Sequence, residues 1–414
     1  MPSLADVIRE HAPAYVARYG DAMPKRHARA LGAITDCRTP ELGAELAVCA
    51  KCDSSHVLFH SCRHRACPRC GFDATTRWVE RQHKALLPVP YFHVVFTLPA
   101  ELRRLVREHQ QILLDVLFRA AFDSLQALAS DPRYLGARIG AIAVLHTWTR
   151  TLEWHPHIHM LVPGGGLAPD GSTFVGTRRK GRADFLVPVR PLAKHFRGHF
   201  LHLARRALPD VRLPKIPWEK PWVVYAKASL QARPDRLLDY LGRYVHRTAL
   251  TEKRIAACDH QSVTFTYRDS ESGKRKNMAL SGGEFLRRFL QHVPLPGFHR
   301  VRAYGLLHPK QRITLQRLQL LLDAPPPAPD AAAMDTAFSA DRQPGQVRRD
   351  PGPLHRAGGR GARPASGRLR ESVCEGQKSM LSSRSEAWST CLGSGDGVSS
   401  SRRSSSARRV AAAA

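Results

Sequence analysis

The chain has 414 residues, enough for two or three domains with a substantial core. Its formal charge is +29; residues 323–414 carry 14 Lys+Arg against 9 Asp+Glu, which leaves +24 on residues 1–322. A folded body that basic points to a polyanionic partner, nucleic acid above all, and no run of about eighteen apolar residues exists to span a membrane.

The start, Met1–Asp6, lacks the cationic and apolar pattern of a secretion signal, so the cytoplasm is the expected compartment. Ser3–Tyr19 then predicts an amphipathic helix capped by Ser3, within an N-terminal helical segment over residues 1–36. Six of the nine cysteines follow between Cys37 and Cys70, a clustering that reads as metal binding rather than disulfides. Cys49-Ala50-Lys51-Cys52 and Cys67-Pro68-Arg69-Cys70 are two Cys-x-x-Cys knuckles, each aiming two thiolates at one point. Together they predict a closed, structural zinc site in a ribbon over residues 37–82, with Ser55–His60 as a small hairpin. Cys37 and Cys62 stay unassigned, either a second site or buried thiols. Arg63, Arg65, Arg69, Arg77 and Arg81 make the surroundings basic, as a DNA-contacting ribbon requires.

Tyr91–Leu98 predicts a strand, Glu101–Ala129 one long helix, and Ile139–Trp148 a second strand. Trp154–Met160, Trp-His-Pro-His-Ile-His-Met, predicts the strand that organises the rest. Alternation puts His155, His157 and His159 on one face, so His157 and His159 can share a divalent cation while Ile158 packs behind them. Pro163–Gly166 is expected to end the strand at a glycine turn. The order strand, helix, strand, strand predicts an α+β fold with helices over one face of a largely antiparallel sheet. A basic region follows, with a charge cluster at Arg178–Arg182, a helix over Leu192–Ala207 and a strand over Trp222–Ala226.

Pro234–Arg247 predicts an amphipathic helix on which Tyr240 and Tyr244, four apart, share a face amid Arg243, His246 and Arg247. Ser262–Arg268 and Lys274–Leu280 predict a hairpin, Glu284–His292 a helix, His299–Leu307 a last strand and Lys310–Leu322 a final helix. Residues 323–414, rich in Pro, Arg, Ser and Gly, predict a disordered tail.

A two-histidine metal site, a tyrosine pair and a basic surface have one economical joint explanation. The cation polarises a scissile phosphate, and a tyrosine oxygen attacks phosphorus, conserving the bond as a 5′-phosphotyrosine. Two tyrosines permit two successive strand transfers. The ordered set Cys-Ala-Lys-Cys (49–52), Ser-Cys-Arg-His-Arg-Ala-Cys-Pro-Arg-Cys (61–70), His-Pro-His-Ile-His (155–159), Val-Pro-Gly-Gly-Gly (162–166) and Tyr-Leu-Gly-Arg-Tyr-Val-His-Arg (240–247) resembles the two-tyrosine HUH transposases of rolling-circle insertion sequences. The resemblance covers about residues 20–320 and implies a HUH-endonuclease-type central antiparallel sheet with packed helices, here a catalytic domain over residues 88–322. It implies Mg2+ or Mn2+ on His157 and His159, nucleophiles at Tyr240 and Tyr244, and structural Zn2+ on Cys49, Cys52, Cys67 and Cys70. The implied substrates are single-stranded DNA at transposon ends and target DNA. The third polar ligand stays open among His155, Glu153 and His246. The tail departs from the family pattern: Pro325–Pro327 begins on cue, but Arg/Ser/Gly-rich sequence replaces the rest, as a shifted reading frame or divergent end would produce. Competing readings are a rolling-circle replication initiator or relaxase, a metal-dependent hydrolase using water, and a non-catalytic zinc-ribbon DNA-binding protein.

Overall fold

Ser3 and Asp6 cap each other reciprocally: the Asp6 amide donates to Ser3 Oγ at 3.2 Å and the Ser3 amide to the Asp6 carboxylate at 2.8 Å. That box starts α1 (Leu4–Tyr19) where the sequence predicts it. The computed structural model describes residues 1–48, 55–83, 85–177, 185–217, 219–228 and 249–322. Helix α2 (Lys25–Thr35) comes next, then β1 (Ala44–Val48) paired antiparallel with β2 (Ser55–Phe59), then α3 (Pro68–His83). Ser55–His60 therefore does not fold back on itself; it supplies one strand whose partner lies upstream.

Strand β3 (Tyr91–Thr97) leads into two helices rather than one, α4 (Arg103–Glu108) and α5 (Gln110–Ser130). The break falls at His109, whose backbone leaves the helical region (φ −115, ψ 46). It lets Leu105 and Val106 of α4, and Leu113, Leu114 and Leu117 of α5, enter one core from two directions. Strands β4 (Gly140–Trp148) and β5 (Trp154–Pro163) form the next hairpin. Strand β5 ends at Pro163 and the chain bends at Gly164, as the glycine run predicts. A separate two-stranded sheet follows, β6 (Gly165–Leu167) paired with β7 (Phe174–Gly176). Gly166 is needed there because a Cβ would lie 2.4 Å from the Arg138 carbonyl oxygen. The chain then forms α6 (Val189–Ala207), β8 (Val224–Ala228), β9 (Ile255–Cys258), β10 (Ser262–Arg268), β11 (Arg275–Ser281), α7 (Gly282–Leu290), β12 (Val301–Gly305) and α8 (Arg312–Leu321). The expected cluster at Arg178–Arg182, the helix at Pro234–Arg247 and the tail fall outside the described residues.

The central sheet has five antiparallel strands in the order β12-β4-β5-β3-β8. One face carries Phe92, Val94, Phe96, Ile158, Met160 and Val162 into the main core under α5 and α6, where the Phe96 and Phe196 rings meet at 4.9 Å. Ile158 is fully buried, as its place between two histidines predicts; that burial is worth about 1.5–3 kcal/mol. The other face is covered at one end by Trp78, Leu86, Leu315 and Leu318 packing on Tyr91, Ile142, Val144 and Leu161. The histidines lie on that same face, beyond this cover. A separate core joins α1, α2 and Cys37, Cys67 and Cys70 to the β9–β10–β11 sheet and α7, so the N-terminal segment packs on residues near the end of the described chain.

Candidate active site and zinc centre

The tight β4–β5 connection decides what meets His157. In the register His146 is opposite His157 and Val144 opposite His159, so all three imidazoles stand on one face. From there one residue of β4, Thr147 between His146 and Trp148, stands against two of β5, His155 and Pro156 between Trp154 and His157. This bulge falls at His155-Pro156, where a proline lacking an amide hydrogen is tolerated within a strand. Leu152 closes the turn in the left-handed region (φ 64) with its side chain fully buried. Its carbonyl accepts from Gln291 Nε2 at 2.9 Å and His292 Nε2 at 3.0 Å, which ties the hairpin to the end of α7.

His146, His157 and His159 are all buried, and one ligand nitrogen from each lies within 4.8 Å of the others. No carboxylate belongs to this group among the described residues. Burial lowers His157 to about 4 and His159 well below the ordinary histidine value, so near neutral pH both are uncharged and hold an acceptor lone pair. His157 Nδ1 donates to the His155 carbonyl at 2.7 Å, which leaves Nε2 for a ligand. His159 Nδ1 lies 2.8 Å from Nε2 of His93 on β3, with the rings parallel (2°) at 5.1 Å. Trp148 stacks on His146 at 4.6 Å. Three buried imidazoles, two of them back-bonded and the third stacked on Trp148, fit a divalent transition-metal ion with coordination positions left over.

The third histidine is His146, not one of the three residues left open by the sequence. His155 Nδ1 is engaged by Arg103 Nη2 at 2.5 Å, Glu153 is more than half exposed with a carboxylate oxygen 3.9 Å from Arg288, and His246 lies outside the described residues. Tyr240 and Tyr244 also lie outside them.

Cys67 and Cys70, at the start of α3, meet Cys37 and Cys62. The sulfurs are 3.6 Å apart for Cys37–Cys70 and Cys62–Cys70, and 3.7 Å for Cys67–Cys37. Four thiolates about 2.3 Å from one zinc ion stand about 3.8 Å apart, so the cluster has the dimensions of a four-thiolate zinc site. The expected set paired Cys67 and Cys70 with Cys49 and Cys52, which lie outside the described residues. Among the described residues, Cys37 and Cys62 bring the group beside the Cys67–Cys70 knuckle to four sulfurs within 4.8 Å of one another. Arg38 (φ 61) and Arg63 (φ 50), each directly after one of these cysteines, adopt the left-handed backbone that turns the chain back. Hydrogen bonding, chiefly from Cys62, lowers the Cys67 thiol to about 5, while burial raises Cys37 to about 11.

Two family models match this chain: "Transposase zinc-binding domain", of the IS91 type, over residues 7–98, and "Putative transposase", of the Y2 type, over residues 140–313. The chain is 40% identical over 348 residues to "Putative transposase y4qJ" of Sinorhizobium fredii (strain NBRC 101917 / NGR234), covering 79% of this chain and 86% of that protein. It belongs to the Y2 transposases with an IS91-type zinc-binding domain. A second relative of this transposase is the "Transposase for insertion sequence element IS801" of Pseudomonas savastanoi pv. phaseolicola, 32% identical over 291 residues, 66% of this chain and 68% of the relative. No solved structure matches it. No helix among the described residues of the transposase is long and apolar enough to cross a membrane.

Two functional candidates escaped the sequence reading. His146 lay in the expected strand Ile139–Trp148, just before the histidine strand, and the antiparallel register of that pair puts it opposite His157. His93 sat in an expected strand too, but nothing local marks which neighbour that strand takes.

Proposed function

We propose that this transposase nicks and rejoins single-stranded DNA at the ends of its element through 5′-phosphotyrosine intermediates, on a HUH-endonuclease-type sheet. The observation that carries the reading is the convergence of His146, His157 and His159 on a rigid mid-sheet support, each ring held from behind by a named partner. These residues would hold the divalent cation; their nitrogen donors suit Mn2+ better than Mg2+, which prefers oxygen. Bound there, the cation would polarise the scissile phosphate and offset charge developing on it.

Tyr240 and Tyr244 are the proposed nucleophiles. In the sequence they lie between β8, the neighbour of β3, and Ala249, which packs in the second core. The phenol gives up its proton, its oxygen bonds to phosphorus, and the 3′-oxygen departs as a hydroxyl. A later attack by a 3′-hydroxyl on the phosphotyrosine reverses the exchange and joins strands. Neutral imidazoles and a surrounding excess of arginine favour an anionic substrate here. The cysteine cluster is proposed to hold a structural zinc that shapes the N-terminal part of the transposase for DNA.

The test is a denaturing gel of labelled single-stranded DNA carrying the element's end, incubated with protein and Mn2+. A band shifted by the mass of the protein is expected, lost in Tyr240→Phe/Tyr244→Phe and in His157→Ala. Cleavage with no adduct would replace the tyrosine route by water activation. Adducts at normal yield in the double tyrosine variant would place the nucleophile elsewhere.

A further inference from the structure

A row of arginines flanked by neutral histidines leaves the histidine centre along the seam between the two cores. The His155 ring follows His157 at 5.1 Å, and Arg103 of α4 reaches His155 Nδ1. One helical turn on, Arg107 donates to Gln291 Oε1 at 3.0 Å. Its charge reaches Arg26 and His27 at the start of α2, holding both below their ordinary values after burial has done so.

Two features make this row unlike a solvated basic surface. Nε of Arg26, Nε2 of His27 and Nε of Arg103 are buried with no hydrogen-bond partner among the described residues. The nearby carboxylates are engaged elsewhere. Glu284 holds Arg287 and Arg288, Glu101 holds Lys220, and Glu153 lies beside Arg288; the charges of Glu101 and Glu153 reach Arg103 through space, but no ion pair within 4.0 Å joins a described acid to Arg26, Arg103 or Arg107. Like charges brought together cost stability, and that cost falls when an anion repeats along the row.

We infer that Arg103, Arg107, Arg26 and His27 form a phosphate-binding track that holds the backbone of single-stranded DNA on one side of the scissile phosphate. The strand runs from the histidine centre across α4 to the start of α2, so the zinc-bearing half of the transposase grips the DNA that the sheet cuts. Contacts of this kind read the backbone and not the bases, and they dissolve with salt. The inference rests on the single-strand reading above.

The test uses the full-length protein and a fluorescein-labelled oligothymidylate, with neither divalent ion nor chelator added, so that zinc stays in place. Affinity is followed from 50 to 200 mM KCl. Arg26→Gln, Arg103→Gln and Arg107→Gln are each expected to lower the log–log salt slope by about 0.7, so the parent loses about 2.6-fold more affinity than each variant over that range. Arg104→Gln is the control: that side chain is 91% exposed on the same helix and paired with Glu108, and its slope should match the parent's. Equal losses in Arg104→Gln and Arg107→Gln, or unchanged slopes in the three variants, would overturn the track. A variant-free measurement guards against misfolding: phenylglyoxal labelling of the parent should be blocked by the oligonucleotide at Arg26, Arg103 and Arg107 but not at Arg104. Uniform protection or none would also overturn it. Neither readout involves the tyrosines or the cation, so absent adducts with an intact slope pattern would sink only the chemistry proposed above. Adducts with flat slopes would sink only the track.

Discussion

His146, His157 and His159 hang from two paired strands in the middle of a five-stranded sheet, whereas Cys37, Cys62, Cys67 and Cys70 come from loops and one helix start beside a two-stranded ribbon. The sheet positions its ligands whether or not an ion is bound, because Ile158 and its neighbours are anchored in the main core behind them. The cysteine cluster has less to hold it. Strand β2 is exposed along its whole length, and two arginines beside the cysteines sit in left-handed backbone. Metal should therefore be optional for the fold at the first centre and part of the fold at the second.

The largest expected effect follows from that contrast. Cys67→Ser should release zinc and unfold the N-terminal part, since structural zinc sites contribute on the order of 10 kcal/mol or more. His157→Ala should leave the thermal midpoint within a few degrees of the parent while removing metal-dependent cleavage. Zinc content by plasma mass spectrometry, beside melting followed by circular dichroism, measures both. The same assay settles the quartet. Cys49→Ser/Cys52→Ser should keep one zinc per chain and Cys37→Ser should not; the reverse pattern would restore the two-knuckle set.

What the sequence made legible follows the same division. Alternation over Trp154–Met160 depends only on neighbours in the chain, so the histidine face and the burial of Ile158 could be read directly. The Ser3–Asp6 box and the β10–β11 hairpin are equally local. The cysteine quartet is not: Cys37 lies 30 residues before Cys67 and joins it through tertiary packing, while the local Cys-x-x-Cys pattern draws attention to Cys49 and Cys52. His146 and His93 failed for a related reason. A residue on a neighbouring strand is assigned only once register and strand order are known, and β3 gains its place beside β5 only after α4, α5 and β4 have intervened. The break at His109 was hidden because apolar residues continue on both sides of it.

His93 offers a smaller test of how far the sheet alone prepares the first centre. Its Nε2 faces His159 Nδ1, so it would fix which nitrogen of His159 is presented to the proposed cation. His93→Phe keeps a flat ring against His159 but removes that partner, and Mn2+ affinity should fall about 10- to 100-fold. Calorimetric titration on the zinc-loaded protein would show it, with zinc content unchanged. An unchanged Mn2+ affinity would mean that strand geometry suffices without the back-bond.

The smallest effect concerns the tie between the two cores. His292, fully buried at the end of α7, is lowered from the ordinary 6.5 to about 3 because burial disfavours its charged form. In the unfolded chain it takes up a proton near 6.5, in the folded chain only near 3. Its contribution to stability is therefore fully present above pH 6.5 and is lost as the pH falls from 6.5 toward 3, at up to about 1.4 kcal/mol per pH unit. Other acid-sensitive groups, the cysteine cluster included, titrate in the same range, so the quantity to measure is the difference between parent and His292→Gln. Glutamine can still donate to the Leu152 carbonyl. The variant should start less stable at pH 7 and lose stability less steeply between pH 6 and pH 5 in urea titrations. Parallel curves would show that His292 takes up its proton in the folded chain over the same window as in the unfolded one, so that burial at the end of α7 does not hold it neutral.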